Sequence, residues 1–147
     1  MIALVQRVKE AKVTVEENII GSIGRGILVL LGIGEEDERK DADFLSDKVV
    51  HLRIFEDEAG KMNQSLMDIA GELLIVSQFT LLGDCSRGRR PSFTKAARPE
   101  KAIPLYEHFI EGCRKSELKV ETGQFQAMMA VSLINDGPVT LILESRR

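Results

Sequence analysis

The sequence predicts a single layered α/β domain spanning residues 1–147. Three observations carry that expectation. Segments 26–33 and 72–79 are apolar almost throughout, strand-like segments outnumber helical ones, and two long stretches have helical periodicity. Hydrophobic residues make up 44% of the chain and charged residues 29%, which is enough apolar material to close one core and excludes a disordered chain.

Taken in order, "IALVQRV" (2–8) and "KVTVE" (12–16) are rich in β-branched residues and read as two strands, with "NIIGSIG" (18–24) a short third. "GILVLLGI" (26–33) has no polar alternation, as expected of a strand covered on both faces. From Asp37 to Leu52, apolar residues at 42, 45, 49 and 52 follow helical spacing, with acids in the first turn. "ELLIVSQF" (72–79) is a second central strand that turns polar at Ser77. A loop follows, then a helix over about 99–114 with apolar residues at 102, 105, 106, 109, 110 and 113. Pro99 suits its first turn, whereas Pro104 falls past the harmless positions and predicts a kink. Strands near 118–121, 129–135 and 139–144 close the chain, and the sheets are expected to be mostly antiparallel or mixed.

Composition excludes several functions. The net charge of −3 argues against a general polyanion binder, and no DNA partner is expected. The charge is nonetheless uneven: residues 86–101, "SRGRRPSFTKAARPEK", hold six basic residues against Glu100 alone. A contact with phosphate and a solvated loop explain this stretch equally well. "MIALVQRVKE" lacks the features of a signal peptide and no apolar run has membrane-spanning length, so a cytoplasmic protein without a membrane partner is expected. Cys85 and Cys113 are too few for a disulfide framework.

"GIGEED" (32–37) has the position of a dinucleotide-binding turn. It lacks the third small residue, and it places Glu35, Glu36 and Asp37 where a pyrophosphate would sit. Cys85, His108 and Cys113 share no metal-ligand spacing, so neither metal nor cofactor is expected. His51 and His108 lie off the apolar faces of their helices and are expected to look at solvent, which leaves a nucleophile-base triad without a base.

Two groupings remain. "SQFTL" (77–81) gathers hydroxyls, an amide and backbone N–H groups where a buried strand ends, and such termini either cap themselves or form sites. "NDGPVT" (135–140) sets the most permissive residue beside the most rigid one between two strands.

Taken together, "VSQFTL", "RGRRPSF", "GKMNQSL" and "VSLINDGPVT", with a match running from "MIALVQRV" to the last strand, resemble the D-aminoacyl-tRNA deacylase family. The resemblance implies a β/β/α homodimer with active sites at its interface. It also implies hydrolysis of the ester between a D-amino acid, or glycine mischarged on tRNA(Ala), and the 3′-terminal adenosine. By the same resemblance, Ser77, Gln78, Phe79 and Thr80 form the catalytic pocket, and Phe125 and Met129 lie around the adenosine. Gly137 and Pro138 form a cis-peptide chirality filter that enters the partner's site, supported by Arg7. Only about one X–Pro bond in twenty is cis, so the bond's sequence alone would indicate trans.

The expected chemistry needs no side-chain base: backbone amides around Phe79 and Thr80 stabilise the oxyanion while the ribose 2′-hydroxyl assists. Arg87, Arg89 and Arg90 are candidate tRNA phosphate contacts. Two other readings stand beside this one, a non-catalytic binder of tRNA 3′ ends and a structural dimer locked by Gly-Pro.

Overall fold

β1 (Ile2–Val15) is one continuous strand where two were expected. In the computed structural model, which describes residues 1–146, Ala3 and Val5 of this strand enter one core, while Val8, Ala11 and Val13 enter another. Odd-numbered residues therefore face opposite layers at its two ends. The switch coincides with irregular pairing to the last strand, between Gln6 and Val8 and between Val8 and Glu10. Side chains alternate with period two, so a bulge that displaces one residue reverses the face each later residue presents. The exposed pair Lys9 and Glu10 marks this bulge, not a turn.

β2 (Asn18–Ile23) pairs antiparallel with the second half of β1, and β3 (Gly26–Gly32) with the first half. Helix α1 (Arg39–His51) follows. A small hairpin of β4 (Phe55–Glu56) and β5 (Met62–Gln64), then the one-turn helix α2 (Leu66–Ile69), were not anticipated; both are too short to show periodicity. β6 (Glu72–Ser77) runs parallel to β3, and after α3 (Pro99–Arg114) the strand β7 (Val120–Thr122) runs parallel to β6. β8 (Ala130–Glu144) is again one strand where two were expected, and it lies antiparallel to β1. The resulting mixed sheet has the order β2-β1-β3-β6-β7, with β8 on β1.

The two unbroken apolar segments now have a structural reason. Ile27, Val29, Leu73 and Ile75 face α1 and α3, whereas Leu28, Leu74 and Val76 face Val8, Val13 and Ile23. Each of these strands is buried on both sides, which gives the β/β/α layering.

α1 starts at residue 39, not 37. Asp37 is buried before it, accepting hydrogen bonds from the Gly34 amide at 2.6 Å and the Met1 ammonium at 2.6 Å. The acids of this segment thus serve the turn: Asp41 closes a capping box with Glu38, and the Arg146 guanidinium holds the Asp41 carboxyl well below the usual carboxylate range. α3 continues through the exposed Pro104, which removes the N–H that would bond the Glu100 carbonyl. Among the described residues no helix is long and apolar enough to cross a membrane.

Candidate active site

The polar end of β6 opens into a cavity because the chain changes conformation there. The Gln78 amide donates to the Leu31 carbonyl at 2.8 Å, which is the last rung tying this strand to β3. Phe79–Leu82 then form a 3₁₀ turn. The first amides of such a turn have no acceptor within it, and among the described residues neither the Phe79 nor the Thr80 N–H finds one elsewhere.

The cavity beside them measures about 470 Å³, within the range of small-ligand sites. Ser77, Gln78 and Phe79 line one wall, and the segment 125–129, including Phe125 and Met129, lines the other. Ala97, Pro99 and Ala102 add a third side that the sequence reading did not include. Thr80, expected in the pocket, is exposed and does not line the cavity; its hydroxyl accepts a hydrogen bond from Gln78 Nε2. Tyr106 supports the floor: its hydroxyl donates to the Ile75 carbonyl at 3.0 Å and its ring centroid lies 5.8 Å from that of Phe125. Burial pushes the Tyr106 hydroxyl up to about 12, so it remains a neutral donor at ordinary pH.

Neither histidine lines the cavity. His51 is exposed as expected, but His108 is only partly so, because its Nε2 lies 2.6 Å from Asp43 Oδ1 on α1. Helical phase put His108 off the apolar stripe correctly; it could not show that a neighbouring helix supplies a partner there. Cys85 is exposed and Cys113 buried, both free, and burial pushes the Cys113 thiol up to about 12.

Gly137 and Pro138 do not line this cavity in their own chain. They lie where β8 leaves its ladder: Asn135 pairs with Val8 and Thr140 with Gln6, so the residues between them bulge away from β1. The Gly137–Pro138 bond is cis, as the resemblance implies, and Gly137 has φ of 144°, a conformation that side-chain-bearing residues rarely adopt. Arg7, only 7% exposed, braces the bulge from below. Its Nε donates to the Asp136 carbonyl at 2.8 Å and its Nη1 to the Ile54 carbonyl at 2.7 Å. A second brace escaped the sequence reading. Asn135 Oδ1 accepts from the Val139 amide at 2.7 Å, while its Nδ2 donates to the Val139 carbonyl at 3.2 Å and to Thr140 Oγ1 at 3.0 Å. An amide that both donates and accepts, two residues before the glycine, was the available signal.

The basic stretch begins as a hairpin. Asp84 and Ser92 exchange backbone hydrogen bonds at 2.7 and 2.9 Å, and Arg87, Arg89 and Arg90 sit exposed between them. Among the described residues none of the three belongs to a salt bridge, whereas the neighbouring Arg98 lies 3.8 Å from Glu100. The hairpin joins the cavity mouth through Phe93, whose ring meets that of Phe79 edge to face with centroids 5.2 Å apart.

Comparisons with known proteins show the family and the fold. A family model described as D-Tyr-tRNA(Tyr) deacylase matches residues 4–144. The chain is 60% identical over 147 residues to a D-aminoacyl-tRNA deacylase of Thermotoga petrophila, and 58% identical over 147 residues to one of Thermosipho africanus. In both cases the match covers 100% of this chain and 99% of the relative. A solved structure of a c-Myc DNA unwinding element binding protein matches with a TM-score of 0.94 at 47% identity, covering 100% of both chains. A probable eukaryotic D-amino acid tRNA deacylase, 17% identical, shares the fold with a TM-score of 0.86 over 97% of this chain and 98% of its own.

Proposed function

Because the chain belongs to the D-aminoacyl-tRNA deacylase family and is a hydrolase, we propose that it frees tRNA of D-amino acids, and of glycine mischarged on tRNA(Ala). This is a cytoplasmic proofreading step carried out by one domain that spans the chain. The observation that carries the reading is the pair of unengaged amides, Phe79 and Thr80, at the edge of a cavity lined by Phe125 and Met129.

In this reading the terminal adenosine rests against Phe125 and Met129, and Ser77 and Gln78 orient the ester. Water adds to the acyl carbon, and the two amides receive the negative charge that develops on the carbonyl oxygen. The bond to the ribose oxygen then breaks, that oxygen takes a proton, and a free amino acid and tRNA leave. The neighbouring 2′-hydroxyl assists the proton movement, so no histidine is required.

Chirality is read by the partner subunit's Gly137 and Pro138, whose carbonyls occupy the space an L-side chain would need. A filter made of backbone disregards which side chain the substrate carries. Two features support a homodimer. Gly137 and Pro138 are absent from the cavity of their own chain, and β8, which among the described residues pairs only with β1, exposes Ile134 at 49% and Ile142 at 65%. A long apolar edge strand calls for a covering partner.

The test is deacylation of D-Tyr-tRNA and L-Tyr-tRNA, with the mass of the active species measured by light scattering. The D-ester is expected to be hydrolysed by a dimer and the L-ester spared. Binding without turnover would favour an RNA-end binder, and neither binding nor turnover a structural dimer. A fully active monomer would remove the filter in trans.

A further inference from the structure

Phe79 and Phe93 form an aromatic pair that is not buried. Phe79 is 54% exposed and Phe93 37%, with their rings inclined at 74°. Phe79 lines the cavity and Phe93 does not, so the pair runs from the mouth outward. Phe93 is nevertheless held in place: a Cβ at Gly83 would stand 2.9 Å from Phe93 Cε1, so the ring lies directly on the Gly83 backbone. The φ of Gly83 is −65°, which any residue adopts, so glycine serves here to admit the ring. Phe93 immediately follows the hairpin that carries Arg87, Arg89 and Arg90, and Lys95 follows it.

Exposed aromatic faces beside unpaired cations are how proteins hold single-stranded nucleic acid: the cations track phosphates while bases stack on the rings. Resting on the deacylase reading, we propose that Phe93 is a stacking subsite for the nucleotide that precedes the terminal adenosine. The strand leaves the cavity over Phe79, its penultimate base lies on Phe93, and its phosphates turn toward the arginine hairpin. Recognition of the tRNA end thus extends one nucleotide beyond the reacting one. The subsite tolerates any base, since every base offers a π-face.

The test compares the D-tyrosyl ester of adenosine with the D-tyrosyl ester of the trinucleotide CCA. For the wild type, kcat/KM for the trinucleotide ester is expected to exceed that for the adenosine ester. In Phe93→Ala this ratio should fall about tenfold, through KM, as expected for one lost base stack. Phe93→Leu keeps apolar volume against Gly83 and Phe79 without a ring, and should lose the same preference, whereas Phe93→Tyr should keep it. A ratio unchanged in both the Ala and Leu variants overturns the subsite. So does a fall in Ala that Leu restores, which would show packing alone. Calorimetric titration with unacylated CCA and adenosine separates the two levels of the argument. A CCA preference that requires an aromatic residue at 93 supports the subsite even if no ester is cleaved, in which case the deacylase reading fails alone. No such preference, beside normal turnover of both esters, overturns the subsite alone.

Discussion

Around the cavity, Phe79 and Thr80 leave their amides without acceptors among the described residues, and Phe79 stands more than half exposed. Around Gly137 the opposite holds: Arg7 and Asn135 bind backbone groups of Asp136 and Val139, and Arg7 also holds the strand-entry carbonyl of Ile54. Both regions are irregular backbone at a strand, yet one is left open and the other clamped. Their proposed tasks explain the difference. Unengaged donors are useful where charge must be received from a substrate. A chirality filter must not adapt, because a carbonyl that shifts by the width of a methyl group would admit an L-side chain. The open region takes its precision from the ligand, and the clamped region from side chains within the fold.

Breaking the clamp should have the largest effect. Arg7→Ala removes two charge-assisted bonds from a buried position and is expected to cost about 3 kcal/mol in urea unfolding. It should also raise hydrolysis of L-Tyr-tRNA relative to D-Tyr-tRNA. Arg7→Lys should restore only part of either, since an ammonium cannot reproduce the planar fork that reaches both carbonyls. Asn135→Ala should cost about 1–2 kcal/mol and weaken discrimination in the same direction. Its KM for tRNA should not move, because the Asn135 side-chain amide is engaged by Val139 and Thr140 of its own strand. An Asn135→Ala enzyme with wild-type stability and D/L ratio would show that Arg7 alone maintains the clamp.

Changes on the open side should be smaller and of a different kind. Replacing Arg87, Arg89 and Arg90 with Ala is expected to raise KM for tRNA about tenfold at low salt. The slope of binding against log salt should flatten by up to about 2, with kcat nearly unchanged. A triple variant with wild-type KM and salt slope would make the hairpin a solvated surface. Thr80→Ala removes one hydrogen bond from Gln78, worth about 0.5–1.5 kcal/mol, and should leave substantial deacylation and full rejection of L-esters. A dead but substrate-binding Thr80→Ala protein, together with an acyl-Thr80 adduct trapped from the wild type, would instead make the hydroxyl the nucleophile.

Much of this arrangement is present in local patterns. The doubly apolar runs at 26–33 and 72–79 became the central strands β3 and β6, and the spacing of residues 102–113 became the buried face of α3. Residue identity and motif order pointed to Ser77, Gln78, Phe125 and Met129, which the fold gathers on one cavity although 52 positions separate Ser77 from Met129. Local patterns erred where a strand was bent or interrupted by something other than a turn. Lys9-Glu10 and Gly137-Pro138 each look like the end of a strand, yet β1 and β8 run through them, because each strand is held on both sides of its irregularity by the other.

What the sequence determined by itself, then, is where the central strands and the two long helices lie and which of their faces are apolar. All of these follow from neighbours within a few residues along the chain. Only the tertiary structure decided that Asp37 serves a turn, that His108 meets Asp43, that Phe93 meets Phe79, and that Arg7 reaches across to Asp136. Those contacts depend on strand register and helix packing, where a displacement of one residue turns a side chain to the opposite face, and no local pattern contains that information.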